Sequence, residues 1–252
     1  MLQRVDVLLV EKGLAQSRSH AQQMIEAGRV SNVSGSTPVR ITKSSQKLLD
    51  DTVFEVVPDE GDRYVSRGGL KLAGAIAHSG VSLQGATILD VGMSTGGFTD
   101  CARQMGAAKV VGVEVGHSQL AERLQHDPAI VCIEGINARY LTPDMLGDHL
   151  PAAGFDGIVM DVSFISQTLI LPQLPVLLKK GGWILSLVKP QFEVGREGLG
   201  KGGIVRDTAL YGSVKAKIEQ CASLHGLILN DWFDSPILGG DGNREFFLYA
   251  SR

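Results

Sequence analysis

The sequence predicts an α/β protein in which a doubly wound, Rossmann-like sheet of seven strands follows a small α+β domain. From Ala86 onward, short apolar runs alternate with segments of helix length, as they do in chains that wind helices around a mostly parallel sheet. The chain has 252 residues, 44% of them hydrophobic, which is enough to fill one large and one small core. Its 31 glycines and low aromatic content, 6%, are typical of α/β proteins with many tight turns.

The N-terminal part of the chain shows two helical patterns followed by short strands. Apolar residues recur at helical spacing over 4–14 and 18–27, with Ser17 placed to cap the second helix and Gly28 to end it. Short Val- and Ile-rich pieces broken by Ser, Gly and Pro follow, a pattern that indicates a little sheet. The expected division is a first domain, a linker and a second domain, at residues 1–58, 59–69 and 70–252.

Seven apolar runs in the second domain are predicted strands. They cover residues 87–91, 109–114, 130–134, 157–161, 183–188, about 227–233 and 246–250. Ligands of doubly wound sheets bind beyond the carboxyl ends of the strands. The residues directly after each run are therefore the first candidates for a functional site.

Composition excludes several classes of protein. The three cysteines lie far apart without a CxxC pair, and the histidines do not cluster, so we expect neither a metal site nor a disulfide framework. The N-terminus lacks the apolar core of a signal peptide, and no apolar stretch approaches the roughly 20 residues that span a bilayer. These features predict a cytoplasmic protein without a membrane partner.

Charge is distributed unevenly along the chain. The net charge is −3, but the first 49 residues carry seven Lys and Arg against three acids, which leaves them at +4 and the remainder at −7. A polyanion such as RNA would therefore be contacted mainly by the N-terminal domain. An ordinary solvated basic face is the alternative interpretation.

A glycine-rich turn follows the first predicted strand. Residues 90–98 read DVGMSTGGF, in which the glycines permit a tight turn and close approach of the backbone to a ligand. The helix that follows can direct its N-terminus at an anionic group. The second strand ends at Glu114, whose carboxylate can accept hydrogen bonds from two ribose hydroxyls. Together these features indicate a ligand that contains a nucleoside.

Two details favour S-adenosylmethionine over NAD as that ligand. The glycine spacing is GxxxGG instead of GxGxxG, and Asp90 directly precedes the turn, where an acid suits the ammonium group of methionine. Asn137, after the third strand, is placed to contact the adenine. A dinucleotide-dependent oxidoreductase and a purely structural turn are the alternatives. The expected cofactor-binding residues are Asp90, Gly92, Ser94, Thr95, Gly96, Gly97, Phe98, Glu114 and Asn137.

Over essentially its whole length the chain resembles the TlyA family of rRNA 2′-O-methyltransferases. The matching segments read DVGMSTGGFTD, GVEVGHSQL, MDVSFIS, LVKPQFE, GKGGIVRD and GNREFFLYA. The N-terminal domain is similar to the S4-like RNA-binding domain, and the second domain resembles the FtsJ-like class. The resemblance implies S-adenosylmethionine as cofactor and ribosomal RNA or ribosomal subunits as partner. Short chains such as this one are expected to act on a cytidine of 23S rRNA, and longer members also on 16S rRNA. The expected RNA-binding residues are Arg4, Arg18, Arg29 and Arg67.

The resemblance also implies a Lys-Asp-Lys-Glu tetrad of catalytic residues, at Lys71, Asp161, Lys189 and Glu245. Three of them lie at ends of predicted strands and Lys71 precedes the first strand by one helix, so the four can meet at one sheet edge. A lysine accepts the proton of a ribose hydroxyl only in its neutral form, which a second cation and partial burial favour. We therefore expect Lys189 to be the base and Lys71 the neighbouring cation. The two acids would orient these lysines.

Other interpretations stay open at the level of the sequence. A non-catalytic RNA-binding protein would be expected to have lost tetrad or glycine-turn residues, and all are present. A haemolysin, a label attached to this family, would need a membrane-active segment, and none is visible. Residues 190–207 contain five glycines and show no helix or strand pattern. We predict that this segment is a mobile lid over the target nucleotide.

Overall fold

The computed structural model describes residues 1–15 and 17–252, and these residues form two compact units, Met1–Arg63 and Tyr64–Arg252. Residues 59–69, expected as a linker, contain a 3-10 turn at Glu60–Arg63 and the first residues of the helix Gly68–Ser79.

The first unit packs two helices against short antiparallel strands. Its elements are β1 (Leu2–Arg4), α1 (Val5–Glu11), α2 (Arg18–Glu26), β2 (Val30–Asn32), β3 (Val39–Arg40), β4 (Lys47–Leu49) and β5 (Phe54–Val56). Strand β1 pairs with β4, and β2 lies between β3 and β5. Ser17 caps α2 as predicted, because its Oγ accepts a hydrogen bond from the backbone N–H of His20. Gly28 follows the helix with a φ of +70°, a conformation that favours glycine.

The second unit, all of whose residues the structure describes, is built on a seven-stranded sheet. Its strands are β6 (Thr87–Val91), β7 (Lys109–Glu114), β8 (Ile130–Glu134), β9 (Phe155–Met160), β10 (Leu178–Val188), β11 (Ile228–Asp234) and β12 (Phe246–Ser251). Their order across the sheet is β11-β12-β10-β9-β6-β7-β8, and β12 runs antiparallel to both of its neighbours. The predicted doubly wound α/β architecture is confirmed.

Helices and apolar cores cover both faces of this sheet. The helices are α3 (Gly68–Ser79), α4 (Gly97–Gln104), α5 (Glu122–Gln125), α6 (Pro143–Leu146) and α7 (Leu210–Leu224). Along β10, Ile184 and Val188 join one apolar cluster while Leu185 and Leu187 join the other. Because successive side chains of a strand point to opposite faces, this alternation shows that β10 is buried on both sides.

The connection from β9 to β10 departs from the expected alternation of strand and helix. It consists of 3-10 turns at Gln167–Leu169, Leu171–Gln173 and Pro175–Leu177. Pro172 and Pro175 lack the N–H of a helical residue and clash with the preceding turn, so an α-helix cannot run through this segment.

Candidate active site

The turn between β6 and α4 has the tight geometry that its glycines predict. Gly92 and Gly96 have φ values of +85° and +92°, and Ser94 between them has a φ of +47°. A Cβ on Gly92 would come within 2.6 Å of the carbonyl oxygen of Asp161. A side chain at position 92 is therefore excluded both by the backbone conformation and by the end of β9.

Glu114 at the end of β7 is fixed by backbone donors. Its Oε2 accepts a hydrogen bond from Ser94 N–H and its Oε1 accepts one from Gly116 N–H, both at 2.9 Å. The residue is 8% exposed. A carboxylate has about four acceptor positions, so these two bonds leave capacity for the hydroxyls of a ribose.

A cavity of about 560 Å³ lies at this edge of the sheet. Its volume is within the range of small-molecule sites. Of the expected cofactor-binding residues, it is lined by Gly92, Ser94, Glu114 and Asn137. Ile136, Ile165 and Ile170 give it an apolar side, which sequence reasoning did not identify. A polar ribose site therefore adjoins an apolar surface suited to a purine ring.

The other expected cofactor residues lie beside or beneath this cavity. Thr95, Gly97 and Phe98 line a smaller cavity of about 210 Å³, while Asp90 and Gly96 line neither. Asp90 is fully buried, and its Oδ2 accepts a hydrogen bond of 2.6 Å from Thr99 Oγ1. Its Oδ1 has no hydrogen-bond partner among the described residues. Burial raises the pKa of Asp90 to about 7.

The expected tetrad forms two lysine–carboxylate pairs. Lys71 Nζ lies 2.5 Å from Glu245 Oε2, and Lys189 Nζ lies 2.6 Å from Asp161 Oδ1. Lys189 also donates a hydrogen bond of 2.9 Å to Ser163 Oγ. Both lysines and Asp161 line the smaller cavity, which shares Asp161 and Ser163 with the larger one. The four residues therefore converge at the carboxyl edge of the sheet.

Burial affects the two pairs differently. The Glu245 side chain is 3% exposed, and this burial raises its pKa although Lys71 beside it favours the ionised form. Asp161 and Lys189 are less enclosed, with side chains 21% and 12% exposed. The Lys189 pair is therefore the one more accessible to an incoming polar group.

Comparison with known proteins identifies the family. Residues 64–252 match the FtsJ-like methyltransferase family model, and residues 3–31 match the S4 domain. The chain belongs to the FtsJ-like methyltransferase family. The resemblance to TlyA is also confirmed, because this FtsJ-like methyltransferase is 40% identical to the 16S/23S rRNA (cytidine-2'-O)-methyltransferase TlyA of Mycobacterium tuberculosis, over 98% of this chain and 88% of that protein.

Two further relatives are similar to this FtsJ-like methyltransferase. The 23S rRNA (cytidine-2'-O)-methyltransferase TlyA of Campylobacter jejuni is 32% identical, over 74% of this chain and 70% of that protein. A solved structure of a hemolysin-named protein from Streptococcus thermophilus has a TM-score of 0.76 and 39% identity, and the match covers 100% of this chain and 88% of that chain. Across residues 1–15 and 17–252, no helix is long and apolar enough to cross a membrane.

The cavity of the FtsJ-like methyltransferase has an aromatic residue on its rim that sequence reasoning missed. Phe164 lines the larger cavity, its residue is 90% exposed, and its φ is +63°. Its ring centroid lies 5.0 Å from that of Phe192. An exposed aromatic ring at the rim of a cavity is a surface on which a nucleic-acid base can stack. The signal was present in the motif MDVSFIS, directly after Asp161.

Two of the arginines expected to bind RNA share one buried acid in the first unit. Asp6 is fully buried and accepts hydrogen bonds from Arg4, Arg18 and Gln22. The hydrogen bond from Arg4, with those from Gln22 and Arg18, outweighs burial and holds the pKa of Asp6 well below its usual range. The side chains of Arg4 and Arg18 remain 39% and 58% exposed. Both are therefore fixed in place yet accessible.

The other two expected RNA-binding arginines differ from this pair. The side chain of Arg29 is 15% exposed and its guanidinium contacts both carboxylate oxygens of Asp62. Arg67, in the second unit, is exposed and donates a hydrogen bond to the carbonyl oxygen of Leu238. Arg29 is thus mainly engaged within its own unit.

The segment expected to be a lid is tied down at one end by a buried amide. Within 190–207, the chain forms only short 3-10 turns and a bridge between Leu199 and Val205. Asn243 is 1% exposed, and its side chain accepts a hydrogen bond from Val205 N–H and donates one to the carbonyl oxygen of Gly203. The C-terminal end of the segment is therefore fixed by a residue that lies shortly before β12.

Proposed function

We propose that this protein transfers the methyl group of S-adenosylmethionine to the 2′-hydroxyl of a cytidine in ribosomal RNA, with 23S rRNA as its main substrate. The observation that carries the proposal is the meeting of two lysine–carboxylate pairs beside a cavity with a ribose-binding acid. 23S rRNA is the substrate that the names of both TlyA relatives share. A hemolysin-named relative does not favour a membrane activity, since its name describes that protein alone.

The residues around the larger cavity fit S-adenosylmethionine. Glu114 has acceptor capacity for the ribose hydroxyls, and the isoleucines of the cavity can cover the adenine. Asn137, whose Oδ1 already accepts a hydrogen bond from Arg139 N–H, lies on the same wall. The unpartnered Oδ1 of Asp90 is a buried acceptor that a nearby ammonium group would stabilise.

Lys189 is our candidate for the general base. When bound, S-adenosylmethionine supplies an electrophilic methyl group. Asp161 and Ser163 hold the Lys189 amine at the boundary of the two cavities, where a ribose 2′-hydroxyl can meet that methyl group. Lys189 Nζ takes up the hydroxyl proton as the methyl group is transferred, and Lys71 in the same cavity supplies a neighbouring positive charge. Glu245 holds Lys71 in position for this role.

RNA recognition is assigned in part to the first unit. Arg4 and Arg18 present exposed guanidinium groups that Asp6 fixes, as expected of residues that bind phosphates. Phe164 offers a stacking surface for the base of the target nucleotide at the cavity rim. Positioning by phosphate contacts and stacking of one base are sufficient to present a single ribose to Lys189.

The test is transfer of a labelled methyl group to 23S and 16S rRNA, offered both as free RNA and as ribosomal subunits. We expect label on a 23S cytidine 2′-hydroxyl. Glu114→Gln should weaken S-adenosylmethionine binding by the free energy of one hydrogen bond to a charged group, roughly 1.5 to 3 kcal/mol. Glu219→Gln, at a half-buried position of α7 that lines neither cavity, is the matched control and should bind normally. Label on neither RNA, with cofactor bound, would refute the proposal, and label on 16S rRNA alone would refute the choice of substrate.

A further inference from the structure

A buried acid outside the tetrad joins the two chain segments that carry Asp161 and Lys189. Glu193 lies four residues after Lys189, and its side chain is 1% exposed. Its Oε2 accepts a hydrogen bond of 2.6 Å from Ser166 Oγ, and its Oε1 accepts one of 2.7 Å from Gln167 N–H. Both donors end the stretch that begins at Asp161. One carboxylate therefore ties the loop after β9 to the loop after β10.

The charge of Glu193 is compensated from α7. Lys217 Nζ lies 2.9 Å from Glu193 Oε2, and the lysine side chain is 45% exposed. A buried carboxylate is costly unless it is paired and hydrogen-bonded. This ion pair, together with the Ser166 and Gln167 donors, gives both carboxylate oxygens of Glu193 a partner. None of these partners belongs to the tetrad, so the cluster has a role separate from proton transfer.

The loop that Glu193 holds contains the strained residue on the cavity rim. Phe164 has a φ of +63°, a conformation that non-glycine residues keep only when their surroundings enforce it. Its exposed ring packs too little to enforce it. Before Phe164, Ser163 accepts a hydrogen bond from Lys189. After it, Gln167 is buried and donates through Nε2 to the carbonyl oxygen of Leu187, besides donating its backbone N–H to Glu193.

We propose that Glu193 is a positioning residue that fixes Ser163 and Phe164 relative to Lys189. The carboxylate acts through Ser166 and Gln167 and does not touch the reacting atoms. The inference rests on the proposed function, because it assigns Glu193 to the efficiency of methyl transfer. It makes the alignment of the target nucleotide the property that Glu193 controls.

The test is a double-mutant cycle of Glu193→Gln and Ser166→Ala, measured by single-turnover methyl transfer at saturating cofactor. Misplacement of a reacting group by about 1 Å lowers a reaction rate on the order of 10²-fold. We therefore expect the rate of methyl transfer to fall about 10- to 100-fold in each variant. The double variant should lose no more than the worse single one, because both changes break the same link. Saturating cofactor keeps any change in cofactor affinity out of the measured rate. Lys215→Ala, which removes an exposed lysine of α7 two residues before Lys217, is the matched control and should keep full activity.

Amide hydrogen exchange of residues 163–168 provides a readout that does not depend on activity. Exchange there should speed up in Glu193→Gln and in Ser166→Ala, and stay unchanged in Lys215→Ala. Losses that multiply in the double variant, or unchanged exchange, would each overturn the positioning role. Ser166→Ala removes one hydroxyl and keeps the test valid should Glu193→Gln fail to fold. Wild-type protein that transfers no methyl group would refute the proposed function, while exchange would still test the link.

Discussion

Binding of S-adenosylmethionine is expected to drive a proton from Asp90. Burial, the largest influence, together with the charges of Asp161 and Glu114, raises the pKa of Asp90 to about 7 against the hydrogen bond from Thr99. Most copies of the ligand-free protein therefore carry a neutral Asp90 below pH 7. The ligand brings an ammonium and a sulfonium group, and positive charge near a carboxylate lowers its pKa. Ligand binding and loss of this proton are thus coupled.

The size of the effect follows from that pKa. Affinity should fall about tenfold for each pH unit below 7, which amounts to about 30-fold between pH 8 and pH 5.5 when the Asp90 pKa of the complex lies well below this range. The upward displacement from 3.8 corresponds to roughly 4 kcal/mol as an upper limit on the penalty of ionising Asp90 in the ligand-free protein. Because the folded-state pKa is raised, protonated Asp90 contributes to the free energy of unfolding at low pH. This contribution is lost as the pH rises through 7. Asp90→Asn should therefore stabilise the ligand-free protein at pH 8.

Isothermal calorimetry across pH 5.5 to 8 measures this coupling directly. At pH 6, titrations in two buffers of different ionisation enthalpy should report release of about one proton for each ligand bound. Adenosine, which has neither cation, should bind with little pH dependence. Asp90→Asn should bind S-adenosylmethionine with a flat pH profile and retain its Thr99 hydrogen bond through the amide oxygen. An identical profile in wild type and Asp90→Asn would refute the reasoning.

Three further predictions concern the proposed general base Lys189, the first unit and the lid segment 190–207. Lys189→Ala should reduce single-turnover methyl transfer by about 10²- to 10⁴-fold with cofactor affinity unchanged, as loss of a general base does. Lys189→Arg should be nearly as inactive because a guanidinium keeps its proton, and retained activity there would show that the site needs charge instead of a base. Asp6→Asn should weaken RNA binding in a fluorescence titration, because it removes the negative charge and one of the two acceptor oxygens that fix Arg4 and Arg18. Unchanged affinity would remove both arginines from the interface. Amides of 190–207 should exchange more slowly once substrate RNA is added, and equal exchange would argue against a lid.

The sequence was sufficient to locate the central strands. The first three predicted strands coincide with β6, β7 and β8, because their apolar runs end sharply at turns. Strand β10 begins at Leu178, five residues before its predicted start. The intervening KKGG resembles a turn, and Gly181 within it has a φ of +74°, but the strand continues across this irregularity between Leu178 and Trp183. Pairing with a neighbouring strand overrode the local preference there.

The sequence also indicated four residues that the structure brings together, but not which of them pair. Motif order placed Lys71 and Glu245 at one edge of the sheet, yet which acid faces which lysine depends on contacts across 174 residues of chain. The sequence did not identify Glu193 as a functional residue for the same reason. Its donors come from other loops and from α7, so its burial has no local signature. Phe164 was missed because backbone strain at a non-glycine residue is set by tertiary contacts.

The bonds that Asn243 makes limit how far the glycine-rich segment can travel. Hydrogen bonds hold the chain at Glu193 and at Gly203, which leaves nine residues between two fixed positions. Nine residues have a contour of about 30 Å, so the tip of an opened loop can swing out no more than roughly 15 Å. A lid of this length can cover one nucleotide at the cavity mouth, but it cannot extend along an RNA helix. The RNA must therefore be selected by rigid surfaces of the protein. The lid can contact only a nucleotide that those surfaces have already positioned.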